Sequence, residues 1–255
     1  MKRKLVKKRI DQLLVERGFF PSRSRAQAAI LEGLIYVSGK KVEKAGTFFS
    51  EDVEIEIKGE PYPYVSRGGV KLESALKKLK IEVSDKRVLD IGASTGGFTD
   101  CLLQHGVARV YAIDVGYGQL AWKLRQNPKV AVLERTNIRY LTLEKFLERF
   151  PEAKKQRPNF ATIDVSFISL TKVLPAVYNL LGEKAEVLAL IKPQFEARKE
   201  QVGKGGIVKD KKVHKEVIEK IIKSAREIGF TAKEVMPSPI TGADGNVEYF
   251  IYLVK

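Results

Sequence analysis

The chain has 255 residues, and its 46 Lys+Arg against 31 Asp+Glu give a formal net charge of +15 at pH 7. An apolar content of 44% is that of an ordinary globular protein and argues against disorder. The single cysteine excludes an internal disulfide and a cysteine-rich metal site, and two histidines leave little for a histidine metal centre. Because apolar runs such as residues 187–191 are far below a membrane span and no signal-peptide core is present, we expect a soluble, cytoplasmic protein.

The excess positive charge is concentrated near the N-terminus. Residues 1–49 hold 12 basic and 4 acidic side chains and net +8, whereas residues 50–255 hold 34 and 27 and net +7. This bias indicates a polyanionic partner, the alternative being a lysine-rich surface of the thermophile type. An acidic alternating strand over 51–56 closes the basic segment, and the following Pro61 and Pro63 keep the chain extended, so we place a domain boundary there.

The basic segment has the pattern of a small α+β module. Apolar spacing predicts a helix that begins at Arg9 and ends at Gly18, and a second helix that begins at Ser22 and ends at Gly33. A short strand over 35–37 and a lysine-bearing turn follow. Arginines on one helix face beside a lysine-tipped hairpin suit a phosphate backbone. The candidate nucleic-acid contacts here are Arg9, Arg23, Arg25, Lys40 and Lys41.

The spacing within this module resembles a known RNA-binding fold. Arg9-Ile-Asp, then Ser22-Arg23-x-x-Ala26, and finally Ile35-x-Val37-Ser38-Gly39 are similar to the S4 RNA-binding domain, although Ser38 replaces the usual Asn. The resemblance implies that residues 1–60 bind RNA. The alternative is that the two helix arginines are ordinary solvated cations.

From residue 84 onward, apolar strands alternate with amphipathic helices. This order predicts a Rossmann-like α/β domain, a doubly wound and mostly parallel seven-stranded sheet that binds ligands at the carboxyl ends of its strands. The expected strands are 87–91, 109–113, 130–133, 160–163, 186–191, 231–235 and 249–254. The expected helices lie near 97–105, 119–126, 143–150, 170–181 and 212–228.

The turn after the first of these strands has the composition of a ligand-binding loop. It reads Asp90-Ile-Gly92-Ala-Ser-Thr-Gly96-Gly-Phe, and its glycines allow tight turning and close approach of a ligand. A dinucleotide site would require Gly-x-Gly-x-x-Gly directly after the strand. A carboxylate at this place would repel a pyrophosphate but suits the cationic amino-acid end of S-adenosylmethionine. A tight turn without a ligand is the alternative.

Two residues after the next strands complete the candidate cofactor site. Asp114 can accept hydrogen bonds from a ribose diol, a role that serves NAD and S-adenosylmethionine alike. Asn137 is either an adenine or ribose contact or a plain turn residue. The candidate cofactor-binding residues are therefore Asp90, Gly92, Ala93, Ser94, Gly96, Gly97, Phe98, Asp114 and Asn137.

Four charged residues are candidates for the chemistry. Asp164 and Lys192 directly follow two apolar strands, so they are expected at the ligand-bearing edge. Lys71 lies on the helix that enters the domain, and Glu248 precedes the last strand. Each alone reads as a solvated residue, but an Asp and a Lys at neighbouring strand ends favour a coupled pair.

In this order the four residues match the Lys-Asp-Lys-Glu tetrad of FtsJ-like RNA ribose 2′-O-methyltransferases. Together with the N-terminal module, they resemble the TlyA family, often labelled haemolysin A, in which an S4 domain is fused to an FtsJ-like class I methyltransferase domain. The resemblance covers nearly the whole chain. It implies an S4-like domain over 1–60, a linker over 61–66 and a methyltransferase domain over 67–255.

The resemblance also implies the activity: methyl transfer from S-adenosylmethionine to a cytidine ribose 2′-hydroxyl of ribosomal RNA in ribosomal subunits, with Arg67 near the RNA strand. Lys192 would be the base, since the nearby cation Lys71 and partial burial favour its neutral form. Asp164 would orient Lys192, and Glu248 would hold Lys71 or the ribose. No metal and no obligate protein partner are expected.

The substrate and two competing functions stay open at this point. The chain ends directly after the last predicted strand, as do the shorter family members associated with large-subunit RNA, so 23S rRNA is expected, with 16S rRNA as an additional candidate. The alternatives in function are a membrane-active haemolysin and a non-catalytic S4 protein that binds ribosomes.

Overall fold

The computed structural model describes residues 7–31, 33–58, 63–242 and 245–255. The chain divides into two compact units between Arg67 and Gly68. Residues 61 and 62 of the predicted linker lie outside the described residues.

The N-terminal unit is built from short strands and two-turn helices. Its elements are β1 (Lys7–Arg9), α1 (Ile10–Glu16), α2 (Arg23–Leu31), β2 (Ile35–Val37), β3 (Lys40–Lys41), β4 (Phe48–Ser50) and β5 (Ile55–Ile57). β1 pairs antiparallel with β4, and β2 pairs antiparallel with both β3 and β5. The helices pack on a small apolar core of Ile10, Leu14, Ala26, Ala29, Ile30, Ile35, Val37 and Val42.

The acidic strand predicted over 51–56 is shorter than expected. Glu51 and Asp52 form a turn, and within this range only Ile55 and Glu56, in β5, pair with β2. The Ser50 hydroxyl donates to the Asp52 carboxylate, and the Val53 amide donates to the Ser50 carbonyl at 3.1 Å. These local bonds offer the backbone an alternative to the sheet ladder, so the chain turns before it pairs.

A buried carboxylate links the two helices of the N-terminal unit. Asp11 accepts two hydrogen bonds from Arg9, both at 3.0 Å, one from Arg23 at 2.8 Å and one from Gln27 at 2.7 Å. Burial acts to raise the pKa of Asp11, but the bonds from Arg9, Arg23 and Gln27 outweigh it and hold that pKa below its ordinary value. Two of the candidate RNA-contacting arginines are therefore oriented by one carboxylate.

The C-terminal unit is a seven-stranded sheet with helices on both faces, in the strand order β11-β12-β10-β9-β6-β7-β8. Its strands are β6 (Arg87–Ile91), β7 (Arg109–Ile113), β8 (Val130–Leu133), β9 (Phe160–Ile163), β10 (Glu186–Ile191), β11 (Thr231–Pro237) and β12 (Tyr249–Val254). Its helices are α3 (Gly68–Leu79), α4 (Gly97–Gln104), α5 (Trp122–Arg125), α6 (Leu143–Arg149), α7 (Leu174–Leu180), α8 (Pro193–Glu196) and α9 (Lys211–Ile228). Strands β6 to β10 are parallel, and β12 is antiparallel to both its neighbours.

The predicted α/β fold is confirmed, and the differences concern helix starts. The helix expected from residue 119 begins only at Trp122, because Gly118 has φ +70° and Ala121 is extended. The helix expected from residue 170 begins at Leu174, after a 3₁₀ turn over Leu170–Lys172 and beside Pro175, which favours a helix start.

The core of this unit lies on both faces of the sheet. All four residues of β9 and five of the six in β10 are buried, as expected for parallel strands covered by helices. Tyr111, Phe146 and Phe150 pack on one face with ring centroids 5.0 to 5.2 Å apart. With both faces covered, the strand ends are where a ligand can reach the sheet.

Replacing Asp11 by Asn should destabilise the N-terminal unit by about 1–3 kcal/mol, because the Arg9, Arg23 and Gln27 donors lose a charged acceptor. The folded pKa of Asp11 is lowered, so its contribution is complete above the unfolded value of about 3.9 and is lost as the pH falls below it. Native-state hydrogen exchange in α1 and α2, corrected for intrinsic rates, measures both effects.

The matched control is Glu54→Gln, an exposed carboxylate in the same unit that should change stability by less than about 0.5 kcal/mol. Equal losses in the two variants, or an unchanged acid dependence in Asp11→Asn, would contradict the role given to Asp11.

Candidate active site

Parallel pairing brings several candidate residues to one edge of the sheet. Ile91 is level with Ile113 of β7 and with Ile163 of β9, so the residues that follow these strands meet at their carboxyl ends. A cleft of about 680 Å³ opens at this edge. Of the predicted site residues, its lining includes Gly92, Ser94, Asp114, Asn137 and Asp164.

The glycine-rich turn after β6 packs directly against the end of β9. Gly92 has φ +81°, and a Cβ there would lie 2.2 Å from the backbone oxygen of Asp164. Gly96 has φ +96°, and a Cβ there would meet the Leu124 side chain at 2.3 Å. Both positions favour glycine by conformation, and at Gly92 the neighbouring backbone also leaves no space for a side chain.

Asp114 and Asn137 both combine a structural bond with a place on the cleft. The Asp114 carboxylate accepts the backbone amides of Ser94 at 2.8 Å and Gly116 at 2.7 Å, which fixes its orientation. The Asn137 side chain accepts the Arg139 amide at 3.2 Å and caps a 3₁₀ turn. Asn137 therefore is a turn residue that also lines the cleft.

Asp90 lies behind the loop rather than on the cleft. Its carboxylate is fully buried and accepts the hydroxyls of Thr99 at 2.6 Å and Thr162 at 2.9 Å. Burial raises the pKa of Asp90 to about 6, the charges of Asp164 and Asp114 add to the rise, and the two threonine bonds oppose it. The group supports the loop from the interior of the domain.

Four further residues of the predicted loop are absent from the cleft lining: Ala93, Gly96, Gly97 and Phe98. Phe98 is buried and stacks on Phe250 with ring centroids 6.3 Å apart. These residues shape the loop and anchor α4 in the core.

The four candidate catalytic residues form two ion pairs. Lys71 Nζ lies 2.6 Å from Glu248 Oε2, and both side chains are almost completely buried, with 6% and 3% exposed. Lys192 Nζ lies 2.5 Å from Asp164 Oδ1 and donates to the Ser166 hydroxyl at 3.1 Å. Burying ions is costly unless they are paired, and such pairs in or beside a cleft are typical of functional sites.

The sheet explains why these pairs share one end of β10. Ile191 and Tyr249 are the last partners of the antiparallel ladder between β10 and β12. Lys192 follows Ile191, and Glu248 precedes Tyr249. The chemistry that this arrangement offers is an amine, oriented by a carboxylate, that can bind a hydroxyl group and accept its proton.

The sequence reasoning missed an aromatic pair in the cleft. Phe167 is 91% exposed with φ +62°, and its ring centroid lies 4.9 Å from that of Phe195. An apolar residue so close to a strand end reads as core, and only its exposure identifies it. The two rings, tilted by 47° to each other, line the same cleft as Asp164.

The remaining candidate RNA contacts have different surroundings within their unit. Lys40 and Lys41 are exposed on β3, after a turn at Ser38 and Gly39. Arg25 donates to the backbone oxygen of Tyr64. Arg67 is half-buried at the unit boundary.

Two classes of feature do not occur in the described ranges. No group of three or more His, Cys, Asp or Glu residues placed to hold a metal ion occurs there. None of the helices in the described part of the chain is long and apolar enough to cross a membrane.

Comparison with known families agrees with this geometry. The FtsJ-like methyltransferase family matches residues 64–255, and the S4 domain family matches residues 8–55. The chain belongs to the FtsJ-like methyltransferase family. The predicted resemblance to the S4-containing TlyA branch of that family is confirmed by the relatives.

Those relatives are similar over most of their length. The chain is 50% identical to "Putative rRNA methyltransferase YqxC" of Bacillus subtilis, covering 97% of this chain and 85% of that one. It is 44% identical to "16S/23S rRNA (cytidine-2'-O)-methyltransferase TlyA" of Mycobacterium tuberculosis, covering 96% and 89%. A solved structure, "Putative hemolysin from Streptococcus thermophilus", is 43% identical with a TM-score of 0.74, covering 98% and 89%.

Replacing Gly92 by Ala should lower the melting temperature more than replacing Gly118 by Ala. Both glycines have positive φ and carry a strain of about 1–2 kcal/mol when substituted, but only Gly92 has a backbone atom where the methyl group would go. The clash should add about 1–3 kcal/mol. Thermal unfolding of both variants measures the difference, and equal shifts would disprove the close packing of the two turns.

Proposed function

We propose that this chain transfers a methyl group from S-adenosylmethionine to the ribose 2′-hydroxyl of a cytidine in ribosomal RNA, within a ribosomal subunit. The observation that carries the proposal is the Lys192–Asp164 pair, whose Asp164 lines the cleft and packs against the glycine turn after β6. Membership of the FtsJ-like family and the names of the two methyltransferase relatives support it.

The cleft residues suit a cationic nucleoside cofactor. Gly92 and Ser94 would let a ligand approach the backbone, while Asp114 and Asn137 would accept and donate hydrogen bonds to its ribose and base. The lining has two carboxylates, Asp114 and Asp164, that would suit the positively charged groups of S-adenosylmethionine, and two basic residues, Arg139 and Lys172. S-adenosylmethionine supplies a methyl group on a positively charged sulfur, and Asp90 serves it indirectly by holding the loop.

A ribose hydroxyl is a weak nucleophile, so the protein must orient it and take its proton. We assign the proton to Lys192 Nζ in its neutral form, whose N–H groups donate to Asp164 and Ser166 while its lone pair accepts the proton of the ribose hydroxyl. Lys71 and Glu248 form a buried pair of zero net charge beside the end of β10, and we assign them to positioning the ribose. No metal ion is assigned a role.

The N-terminal unit would supply affinity for RNA through sequence-independent phosphate contacts. Its candidate contacts are Arg9, Arg23, Arg25, Lys40, Lys41 and Arg67. We propose 23S rRNA as the substrate, and methylation of 16S rRNA as well is the alternative to be separated by mapping the modified nucleotide in each subunit.

Lys192→Ala should reduce methyl transfer by about 10²–10⁴-fold without changing the affinity for S-adenosylmethionine, because the base is lost and the cofactor side of the cleft is intact. Transfer of a tritiated methyl group to purified large and small subunits measures this. Lys184→Ala, an exposed lysine two residues before β10 at the opposite edge of the sheet, is the control and should transfer normally. If Lys192→Ala is as active as wild type, Lys192 is not the base; if wild type transfers nothing, the chain is a non-catalytic binder.

Removing Lys40 and Lys41 together should weaken RNA binding equally for specific and non-specific sequences. Each phosphate contact that is lost should also reduce the slope of log affinity against log salt by about 1. The control is a second pair of consecutive exposed lysines, Lys154 and Lys155 in the C-terminal unit, replaced in the same way. Filter binding across a salt series compares the variants, and an unchanged slope in the first would exclude these lysines from the RNA interface.

A further inference from the structure

Glu196 is a buried carboxylate for which the proposed reaction has no use. Only 1% of its side chain is exposed. It accepts the Ser169 hydroxyl and the Leu170 backbone amide, both at 2.6 Å, and lies 3.2 Å from Lys220 Nζ. Lys220 donates at 2.8 Å to the backbone oxygen of Glu196 as well.

These bonds join the two turns that carry the candidate catalytic pair. Ser169 and Leu170 end the turn that begins at Asp164 after β9. Glu196 ends α8, the short helix that begins directly after Lys192. One carboxylate thus ties the second turn to the first, four residues from Lys192 and five from Asp164.

The first turn needs such a tie because it is strained and exposed. Phe167 adopts φ +62°, in the left-handed region where a non-glycine residue costs about 1–2 kcal/mol. It also exposes its ring at the cleft instead of burying it, in contact only with Phe195 among the described aromatic side chains. Neither feature favours this conformation, so the hydrogen bonds that Glu196 accepts from Ser169 and Leu170 must help to hold it.

Lys220 makes the burial of Glu196 tolerable. It reaches in from α9 with 47% of its side chain exposed, and it neutralises a carboxylate that would otherwise be costly to bury. Because Lys220 lies on α9 and does not line the cleft, it can be replaced without changing any side chain of the cleft.

We propose that Glu196 and Lys220 form a positioning pair that fixes the distance between the Asp164 and Lys192 side chains and holds Phe167 at the cleft. The proposal rests on the methyl-transfer function above. Neither residue contacts the reacting atoms, and each acts through the turn that Glu196 fixes.

The test compares Lys220→Met with Lys223→Met on the same helix, whose ion pair with Glu227 is exposed and spans 4.0 Å. Activity is measured well below the melting temperature of each variant. In Lys220→Met, kcat for methyl transfer should fall about tenfold, because Asp164 and Lys192 lose their alignment. KM for S-adenosylmethionine should stay within about twofold of wild type, because the proposed cofactor contacts are unchanged. Lys223→Met should match wild type.

A second variant and a second readout keep the inference separate from the reaction. Glu196→Gln keeps one acceptor for the Leu170 amide and should be less impaired than Glu196→Ala. Hydrogen exchange over 165–170 should speed up in Lys220→Met and not in Lys223→Met. If Lys220→Met lowers the melting temperature but leaves kcat and hydrogen exchange unchanged, the inference is overturned, even when the loss in Lys192→Ala has established methyl transfer. If wild type transfers no methyl group, unchanged hydrogen exchange in Lys220→Met is enough to overturn the inference.

Discussion

The site depends on the parallel pairing of β6 with β7 and β9. Because Ile91, Ile113 and Ile163 are level in the ladder, the residue after each strand reaches the same edge. Gly92 must then pass the backbone oxygen of Asp164 without a side chain. A Cβ at this one point would separate two turns that together form the cleft, so the register of the sheet and the identity of a single glycine are linked.

The charges of the four candidate catalytic residues are balanced pair by pair. The sequence predicts that Lys71 acts on Lys192 as a neighbouring cation, but in the structure Lys71 has a buried carboxylate of its own, Glu248, at 2.6 Å. The net field of that pair is small at a distance. The proton transfer that we propose at Lys192 would therefore be governed first by Asp164, at 2.5 Å, and by the contacts that fix the Asp164 turn.

The sheet and its edge could be predicted because buried parallel strands are continuous apolar runs, and charged residues directly after them must lie at the strand ends. Two features could not. Asp90 occurs in the pattern of a ligand contact, but its partners Thr99 and Thr162 come from α4 and β9, contacts that no local pattern specifies. Phe167 looks in the sequence like a core residue. Its exposed position goes with a left-handed backbone and a turn bonded to Glu196, and neither is written in the sequence of the turn itself.

The N-terminal unit divides the proposed work on RNA between two kinds of cation. Arg9 and Arg23 both bond to Asp11, yet a guanidinium has five donors, so the carboxylate orients these side chains without using all their hydrogen-bonding capacity. An oriented donor loses less entropy when it binds a phosphate. Lys40 and Lys41 are exposed ammonium groups and act mainly through their charge. Salt should therefore weaken the lysine contribution most directly, while loss of Asp11 should disturb the geometry of the arginines without changing their charge.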